Sequence, residues 1–427
     1  MARQKGIEEW VEAVRAEFPT LSRAVNGRSL AYLDNAASTM KPRRVIDAMQ
    51  RFYAEDYSNV NRGTHYLSQV ATRRFESARE SVRRFIGAGE SREVIFTGGT
   101  TAAINLVAYS WGEAFLGRDD EVLISTMEHH SNIVPWQMLC ERKNARLRVA
   151  ALDEDGALDM AALAERITPR TKMVAVTHVS NVLGVVNPVK EIVRLAHEAG
   201  AHVLIDGAQA IPHMPVNVQE LDADFYAFSS HKMFGPTGIG VLYGKSSILT
   251  QMPPWQGGGD MIGRVSFDGS TWANLPHKFE AGTPNIAGAI GLAEAIDYLE
   301  GMDRQRMADW EFRLAEYAIE LLGEIEGVRI LGPQQNNAGA VSFVLEGVHA
   351  HDIGAILDKQ GLATRTGHHC AQPLLKHFGI ESASRASFAF YNTMEEVERL
   401  AEGVRRVVDL FCSPSIFEEI TELTNLD

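Results

Sequence analysis

Asp224-Phe225-Tyr226-Ala227-Phe228-Ser229-Ser230-His231-Lys232-Met233-Phe234-Gly235-Pro236-Thr237-Gly238-Ile239-Gly240 is the stretch that decides the fold. It reads as a short buried strand, a polar turn with one lysine, and a glycine-rich run into another strand. The unbroken apolar run before the turn suits a sheet covered on both faces. Ser229, His231 and Lys232 then gather at the C-terminal end of that strand, where open α/β sheets place ligands. A lysine among apolar and small neighbours loses its proton more easily, because burial disfavours the charged form. A neutral amine attacks carbonyls, and pyridoxal 5'-phosphate offers an aldehyde. A solvated loop lysine is the bland alternative, but a Ser-x-His-Lys cluster followed by Gly-Pro-x-Gly-x-Gly is far rarer than a lone lysine.

Working outward, strands recur at Glu121–Ser125, Leu147–Ala151, Met173–Val179 and Val203–Ile205, with helical patterns at 159–167 and 188–199 between them. This alternation predicts a mainly parallel, helix-covered sheet. Polar groups mark two strand ends, Ser180-Asn181 and Asp206-Gly207-Ala208-Gln209. An aspartate directly after Val-Leu-Ile is costly to bury unless paired. A pyridinium N–H is one such partner, and a helix cap is an equal alternative. Further upstream, a strand at Glu93–Phe96 ends in Thr97-Gly98-Gly99-Thr100-Thr101 before a helix at 102–115. Strand, glycines, hydroxyls and helix N-terminus make a ready anion site, or only an N-cap. No Gly-Lys-Ser/Thr is present, so it is not a Walker loop.

Glu128-His129-His130-Ser131-Asn132 raises the question of a metal. Neighbours on a strand point to opposite faces, and no nearby cysteine or carboxylate spacing completes a ligand set. The expectation is therefore no metal, with an imidazole stacked on an aromatic cofactor instead. Small residues in Asp34-Asn35-Ala36-Ala37-Ser38-Thr39 would let backbone approach a ligand, or form a plain loop. Helices are expected at 7–17, 43–57, 66–86, 286–299, 303–326, 350–360 and 395–411, and further strands at Leu30–Leu33, Ala340–Leu345, Leu362–Arg365 and Arg385–Phe390. The glycine- and proline-rich connection from Pro253 to Pro284 is long enough to be functional or to hold a partner subunit.

Cys370 lies in Arg365-Thr366-Gly367-His368-His369-Cys370-Ala371. Free cysteines are commonly small buried hydrophobes. Here the neighbours are polar, and Arg365 with two histidines favours a thiolate. Arg385 reads as a carboxylate clamp or a surface ion pair.

Composition narrows the function classes. The 427 residues carry a formal charge of −14, which argues against a nucleic-acid partner. No apolar run reaches the roughly 18 residues of a membrane span, and the N-terminus lacks a secretory pattern. Three widely spaced cysteines argue against a disulfide framework and for a reducing, cytoplasmic setting.

Taken together, Glu128-His129-His130, His178-Val179-Ser180-Asn181, Asp206-Gly207-Ala208-Gln209, Ser229-Ser230-His231-Lys232, Glu280-Ala281-Gly282-Thr283-Pro284 and Arg365-Thr366-Gly367-His368-His369-Cys370-Ala371 resemble the fold-type-I pyridoxal phosphate enzymes. Within them, the chain resembles the class-V aminotransferase-like cysteine desulfurases of the SufS kind (group II) from about residue 30 to 410. The resemblance implies a large domain over 34–299 with a seven-stranded-type sheet, and a smaller α+β domain from 1–33 and 300–427 carrying the Cys370 loop. It implies that Lys232 forms the Schiff base and moves protons, that His129 stacks on the ring, and that Asp206 pairs with the ring nitrogen. Gln209 and Asn181 would contact the ring hydroxyl side, and Thr100, Thr101, Ser229 and His231 the phosphate. Thr283 would reach the phosphate of a second subunit, making a homodimer. Arg385 and Asn181 would bind substrate, with Arg62, Arg365 and His369 at the entrance. The implied reaction converts L-cysteine to L-alanine and leaves a Cys370 persulfide for an acceptor of SufE or SufU type in iron–sulfur cluster assembly, with L-selenocysteine as a second substrate. Asn61 stands where some relatives carry histidine, and Ala102 where many carry glutamate. The alternatives are a selenocysteine lyase or another lyase or transaminase of this fold and, from a different class, a non-catalytic cofactor-binding scaffold.

Overall fold

A computed structural model describes residues 2–335 and 337–412. Its centre is a seven-stranded sheet: β1 (Val94–Thr97), β2 (Glu121–Ser125), β3 (Arg146–Ala150), β4 (Thr171–Thr177), β5 (His202–Asp206), β6 (Phe225–Ser229) and β7 (Gly240–Gly244). The strand order is β1-β7-β6-β5-β4-β2-β3. Only β7 opposes the common direction, pairing antiparallel with β1 and β6, while the remaining pairings are parallel.

Alternation along each strand feeds two apolar cores, one on each face. Tyr226 and Phe228 enter one with Val174, Val176, Val203 and Ile205. Phe225 and Ala227 enter the other with Met173, Ala175, Leu204 and Leu242. β3 is an edge, and it carries Arg146 and Arg148 with little of its length buried. Charge on an exposed edge discourages pairing with another chain.

A second sheet of four antiparallel strands follows: β8 (Val328–Leu331), β9 (Ala340–Leu345), β10 (Arg365–Gly367) and β11 (Ala383–Ser387), ordered β8-β9-β11-β10. A third apolar core lies against it, formed from Val11, Ala31 and Leu33 near the N-terminus and residues between Trp310 and Val407. The strand expected over Leu362–Arg365 divides: Leu362–Ala363 pairs in parallel with Ala31–Tyr32, and Arg365 begins β10. The helix expected at 102–115 starts at Thr100 and widens to π geometry over Val107–Trp111; the one expected at 43–57 does the same over Phe52–Asp56. The long connection holds a hairpin, Ile262–Ser266 with Gly269–Trp272. The acidic C-terminal tail, whose sequence reads as peripheral to the fold, lies outside the described residues. Among the described residues no helix is long and apolar enough to cross a membrane.

One buried ion pair ties that connection to the sheet. Arg79, 1% exposed, donates to both oxygens of Glu280 at 2.6 and 2.9 Å and to the Val94 carbonyl at 2.9 Å. Glu280 also accepts from Phe96 N–H at 2.7 Å. Removing Glu280 leaves the buried Arg79 only the more exposed Glu76, at 3.0 Å, so Glu280→Ala is expected to cost about 3 kcal/mol, at the low end for a broken buried pair, read as a lower urea midpoint.

Candidate active site

The C-terminal ends of the parallel strands converge on a cavity of about 270 Å³. Lining it are Thr100 and Thr101 after β1, His129 after β2, Asn181 after β4, Asp206 and Gln209 at the end of β5, and Ser229, His231 and Lys232 at the end of β6. The second sheet contributes Arg365, His369, Cys370 and Arg385. Thus the structure brings together every site residue expected from sequence except two: Thr283, which is exposed, outside the cavity, and accepts a hydrogen bond from Asn59 Nδ2 at 3.4 Å, and Arg62, expected at the entrance, which is exposed, does not line the cavity and pairs with Asp260 at 3.2 Å.

Lys232 sits in the turn between β6 and β7, whose ladder ends at the Ser229–Gly240 pair. A Cβ at Gly240 would meet Gly99 Cα at 2.5 Å and Phe228 O at 2.6 Å, so glycine is required where β7 passes the threonine turn. Burial pulls the Lys232 pKa from 10.5 down to about 8; Arg385 and Arg365 add to the shift, and Asp206 and Cys370 oppose it. A measurable fraction of the amine is therefore neutral near pH 7. The rate at which cofactor-free protein attaches pyridoxal phosphate is expected to rise with pH through a midpoint near 8, followed by growth of the bound-cofactor absorbance. A flat profile would show that the amine is not tuned.

Asp206 is buried, and its Oδ1 accepts from Ala208 N–H at 3.0 Å. Burial raises its pKa, and the Lys232 charge acts against that rise. His129 is held near pKa 3 by burial and then by Lys232, so it is neutral. Its Nδ1 accepts from Ser131 N–H at 3.1 Å, which leaves the ring proton on Nε2. Thr100 N–H donates to Ser229 Oγ at 2.8 Å, and the two hydroxyl oxygens are 2.7 Å apart. Gln209 Nε2 donates to the Ala36 carbonyl at 2.7 Å. Lys41, which the sequence did not single out, donates to the His231 carbonyl at 2.8 Å and fastens the Asp34–Thr39 loop to the lysine turn.

Arg385 is buried in the middle of β11, not at a strand start or on the surface. Nη1 donates to Asn181 O at 2.7 Å and Nη2 to Asp34 Oδ1 at 3.3 Å, while Nε has no partner. Burial lowers its pKa to about 10. Arg365 clasps Asp34 with Nε at 3.0 and 3.1 Å and Nη2 at 2.7 Å. Asp34 was missed in sequence, although it follows an apolar strand just as Asp206 does, and the same argument applied to it.

His369 and Cys370 both take left-handed backbone, φ 49° and 55°, which is rare outside glycine. Neighbouring elements hold this turn: His130 N–H donates to Cys370 O at 2.7 Å, and Asn181 Nδ2 to His369 O at 2.8 Å. The paired histidines correct a sequence expectation. They lie on a turn that enters the short helix His130–Asn132, not on a strand, so strand alternation does not separate them. His130 also meets His368 and Cys370, residues remote in sequence, so a cysteine does approach the pair. Behind the turn, fully buried Glu128 accepts from Ser125 Oγ (2.5 Å), Asn132 Nδ2 (2.6 Å) and Thr177 N–H (3.1 Å), which fixes the presentation of His129. Burial raises its pKa to about 8.

Residues 31–400 match the class-V aminotransferase family. The chain belongs to the class-V aminotransferase family. A cysteine desulfurase of Salmonella agona is 52% identical over 398 residues, covering 93% of this chain and 98% of that protein. Among solved structures, the cysteine desulfurase CsdA of Escherichia coli, in its S-sulfonic acid form, superposes with TM-score 0.88 at 42% identity over 94% of this chain and 99% of that one. A cysteine desulfurase of Thermococcus onnurineus NA1, solved without ligand, gives the same score and identity over 93% and 98%. Class-V aminotransferase members are pyridoxal phosphate enzymes, and the cavity fits that group. A buried carboxylate, a neutral imidazole, a shifted amine and a hydroxyl cluster at a helix N-terminus surround one space of suitable size.

Proposed function

We propose that this class-V aminotransferase-family chain is a cysteine desulfurase, taking sulfur from L-cysteine to give L-alanine and a persulfide on Cys370. The observation that carries the proposal is the placement of an exposed thiol, Cys370, and a pKa-shifted amine, Lys232, on the walls of one cavity. Pyridoxal phosphate, when bound, supplies an electron sink beside the substrate α-carbon. Thr100, Thr101, Ser229 and His231 would hold its phosphate, Asp206 its ring nitrogen, and Asn181 and Gln209 its hydroxyl side, with neutral His129 against the ring face. Lys232 is the attachment amine and carries the α-proton. Arg385, with an unpartnered Nε, receives the substrate carboxylate, and Arg365 and His369 border the approach. Cys370 Sγ attacks the substrate sulfur. The new S–S bond forms as the substrate C–S bond breaks, its electron pair stays on the alanine carbon, and a proton completes L-alanine. L-Selenocysteine serves in the same way, because the C–Se bond breaks more readily.

An exposed thiol suits a reducing compartment, which supports a cytoplasmic setting, and a persulfide needs an acceptor, for which a SufE- or SufU-type protein of iron–sulfur cluster assembly is our reading. Thr283, exposed and outside its own cavity, supports a homodimer in which it completes the phosphate site of the other subunit. The third apolar core supports a division at 34–299 against 1–33 with 300–427.

The test is direct. Holoenzyme mixed with L-cysteine should release a burst of about one L-alanine per chain, followed by slower turnover limited by sulfur transfer to the substrate thiol, which a stronger added reductant such as dithiothreitol should accelerate. Absence of alanine would reject the proposal.

A further inference from the structure

Three soft ligands meet beside the cavity. His130 comes from the turn behind β2, and His368 and Cys370 from the turn after β10. One ligand atom from each lies within 4.8 Å of the other two. The two imidazole rings stand 5.4 Å apart with 36° between their planes. His368 and Cys370 are exposed and His130 is half-buried. No carboxylate belongs to the group. Thiolate with imidazole favours a borderline or soft cation such as Zn²⁺ over Mg²⁺ or Ca²⁺. In a tetrahedral zinc site the ligand atoms stand roughly 3.4–3.6 Å apart, so these side chains must close by about 1 Å. Rotation of exposed side chains covers that distance.

We propose that His130, His368 and Cys370 form a reversible Zn²⁺ site that clamps the cysteine turn to the turn behind β2 and masks the thiol. On binding, a Zn–S bond forms, the Cys370 thiol proton passes to solvent, and no oxidation state changes. Three protein ligands leave a fourth position for water.

The present hydrogen bonds explain why the site is reversible. His368 Nδ1 accepts from Cys370 N–H at 3.0 Å, and His130 Nε2 from Gln372 N–H at 3.1 Å. A metal competes with both amides for the imidazole lone pairs. Both bonds are exposed, so water satisfies the amides once they are displaced. The metal-free turn is thus complete without a cation, unlike a structural zinc site.

The inhibitory consequence rests on the proposed desulfurase reaction: with the Cys370 sulfur on the metal, it no longer attacks substrate sulfur, while the Lys232 side of the cavity is untouched. The binding itself does not rest on that reading. The experiment titrates chelator-treated holoenzyme with Zn²⁺ against a colorimetric zinc indicator, using wild type, His130→Ala, His368→Ala and Cys370→Ala. Wild type should take up one Zn²⁺ per chain. Each histidine variant should bind at least tenfold more weakly, and the cysteine variant should lose the site. Alanine formation by wild type should fall as the site fills and return with chelator. For His368→Ala, half-inhibition relative to its own metal-free rate should need at least tenfold more Zn²⁺. Wild type without a one-to-one site, or variants that bind like wild type, would overturn the proposal. His368 is exposed, and a thermal midpoint equal to wild type shows that this variant reports on binding. Zn²⁺ uptake as expected with no alanine at any metal level would reject the desulfurase reading alone; alanine formation without Zn²⁺ uptake would reject the metal site alone.

Discussion

Cys370→Ala should still take up pyridoxal phosphate while its formation of L-alanine from L-cysteine falls by roughly 10³-fold, about 4 kcal/mol of transition-state stabilisation. The residues proposed to hold the cofactor lie at the ends of the large sheet's strands, and none depends on the Cys370 side chain. The thiol is exposed, so its removal leaves no core cavity. Alanine adopts the same left-handed backbone at a strain similar to that of cysteine, so the turn is retained. Nor does Cys140 substitute for it. Cys140 is buried in the helix Val134–Lys143, and burial pushes its pKa up to about 11, which keeps it a thiol. The measurement is alanine release alongside the bound-cofactor absorbance. A variant with full alanine release would remove Cys370 from the chemistry.

Lys232→Ala should lose more. Proton transfer by a placed side chain contributes roughly 10²–10⁴-fold, and on the proposed roles this variant also loses the amine that would attach the cofactor. Alanine formation should fall below detection, and borohydride treatment followed by mass spectrometry should find no cofactor fixed to the chain. The same substitution has a stability signature in cofactor-free protein. The folded Lys232 pKa, about 8, lies below its ordinary 10.5, so between those values the unfolded chain binds the extra proton. Wild-type stability should therefore rise with pH from about 8 to 10.5, and Lys232→Ala should show a flatter profile there. Denaturant midpoints across that range give the comparison. Equal slopes would mean that the amine is not desolvated.

The large sheet was readable because its strands are short, apolar on both faces and separated by helical periods. Phe225–Ser229 and His202–Asp206 needed only that pattern. The polar residues at the ends of those strands became candidates for a second reason: a charge after a buried strand needs a partner. What stayed hidden depends on contacts between distant segments. Asp34 acquires its meaning from Arg365, 331 positions away, and Arg385 reveals its burial only once β9 and β10 flank it. Glu128 carried no meaning beyond its histidine motif, because its three donors come from the end of β2, the short helix His130–Asn132 and β4, and converge only when the chain folds. The histidine pair was misjudged because strand alternation was applied to a segment that turns.

The two reacting groups are mounted differently. The amine's turn is closed at both ends by the β6–β7 ladder in the middle of a fully covered sheet. The thiol's turn is moored by single bonds: from His130 N–H and Asn181 Nδ2 to its carbonyls, from His369 Nε2 to the Ala383 carbonyl, and from Gln372 N–H to His130 Nε2. On the proposed roles, adjustment during a catalytic cycle would therefore fall to the sulfur carrier, with the nitrogen as a fixed anvil. An acceptor that draws the proposed persulfide outward would have those few moorings to loosen and would leave the proposed seat of the cofactor undisturbed.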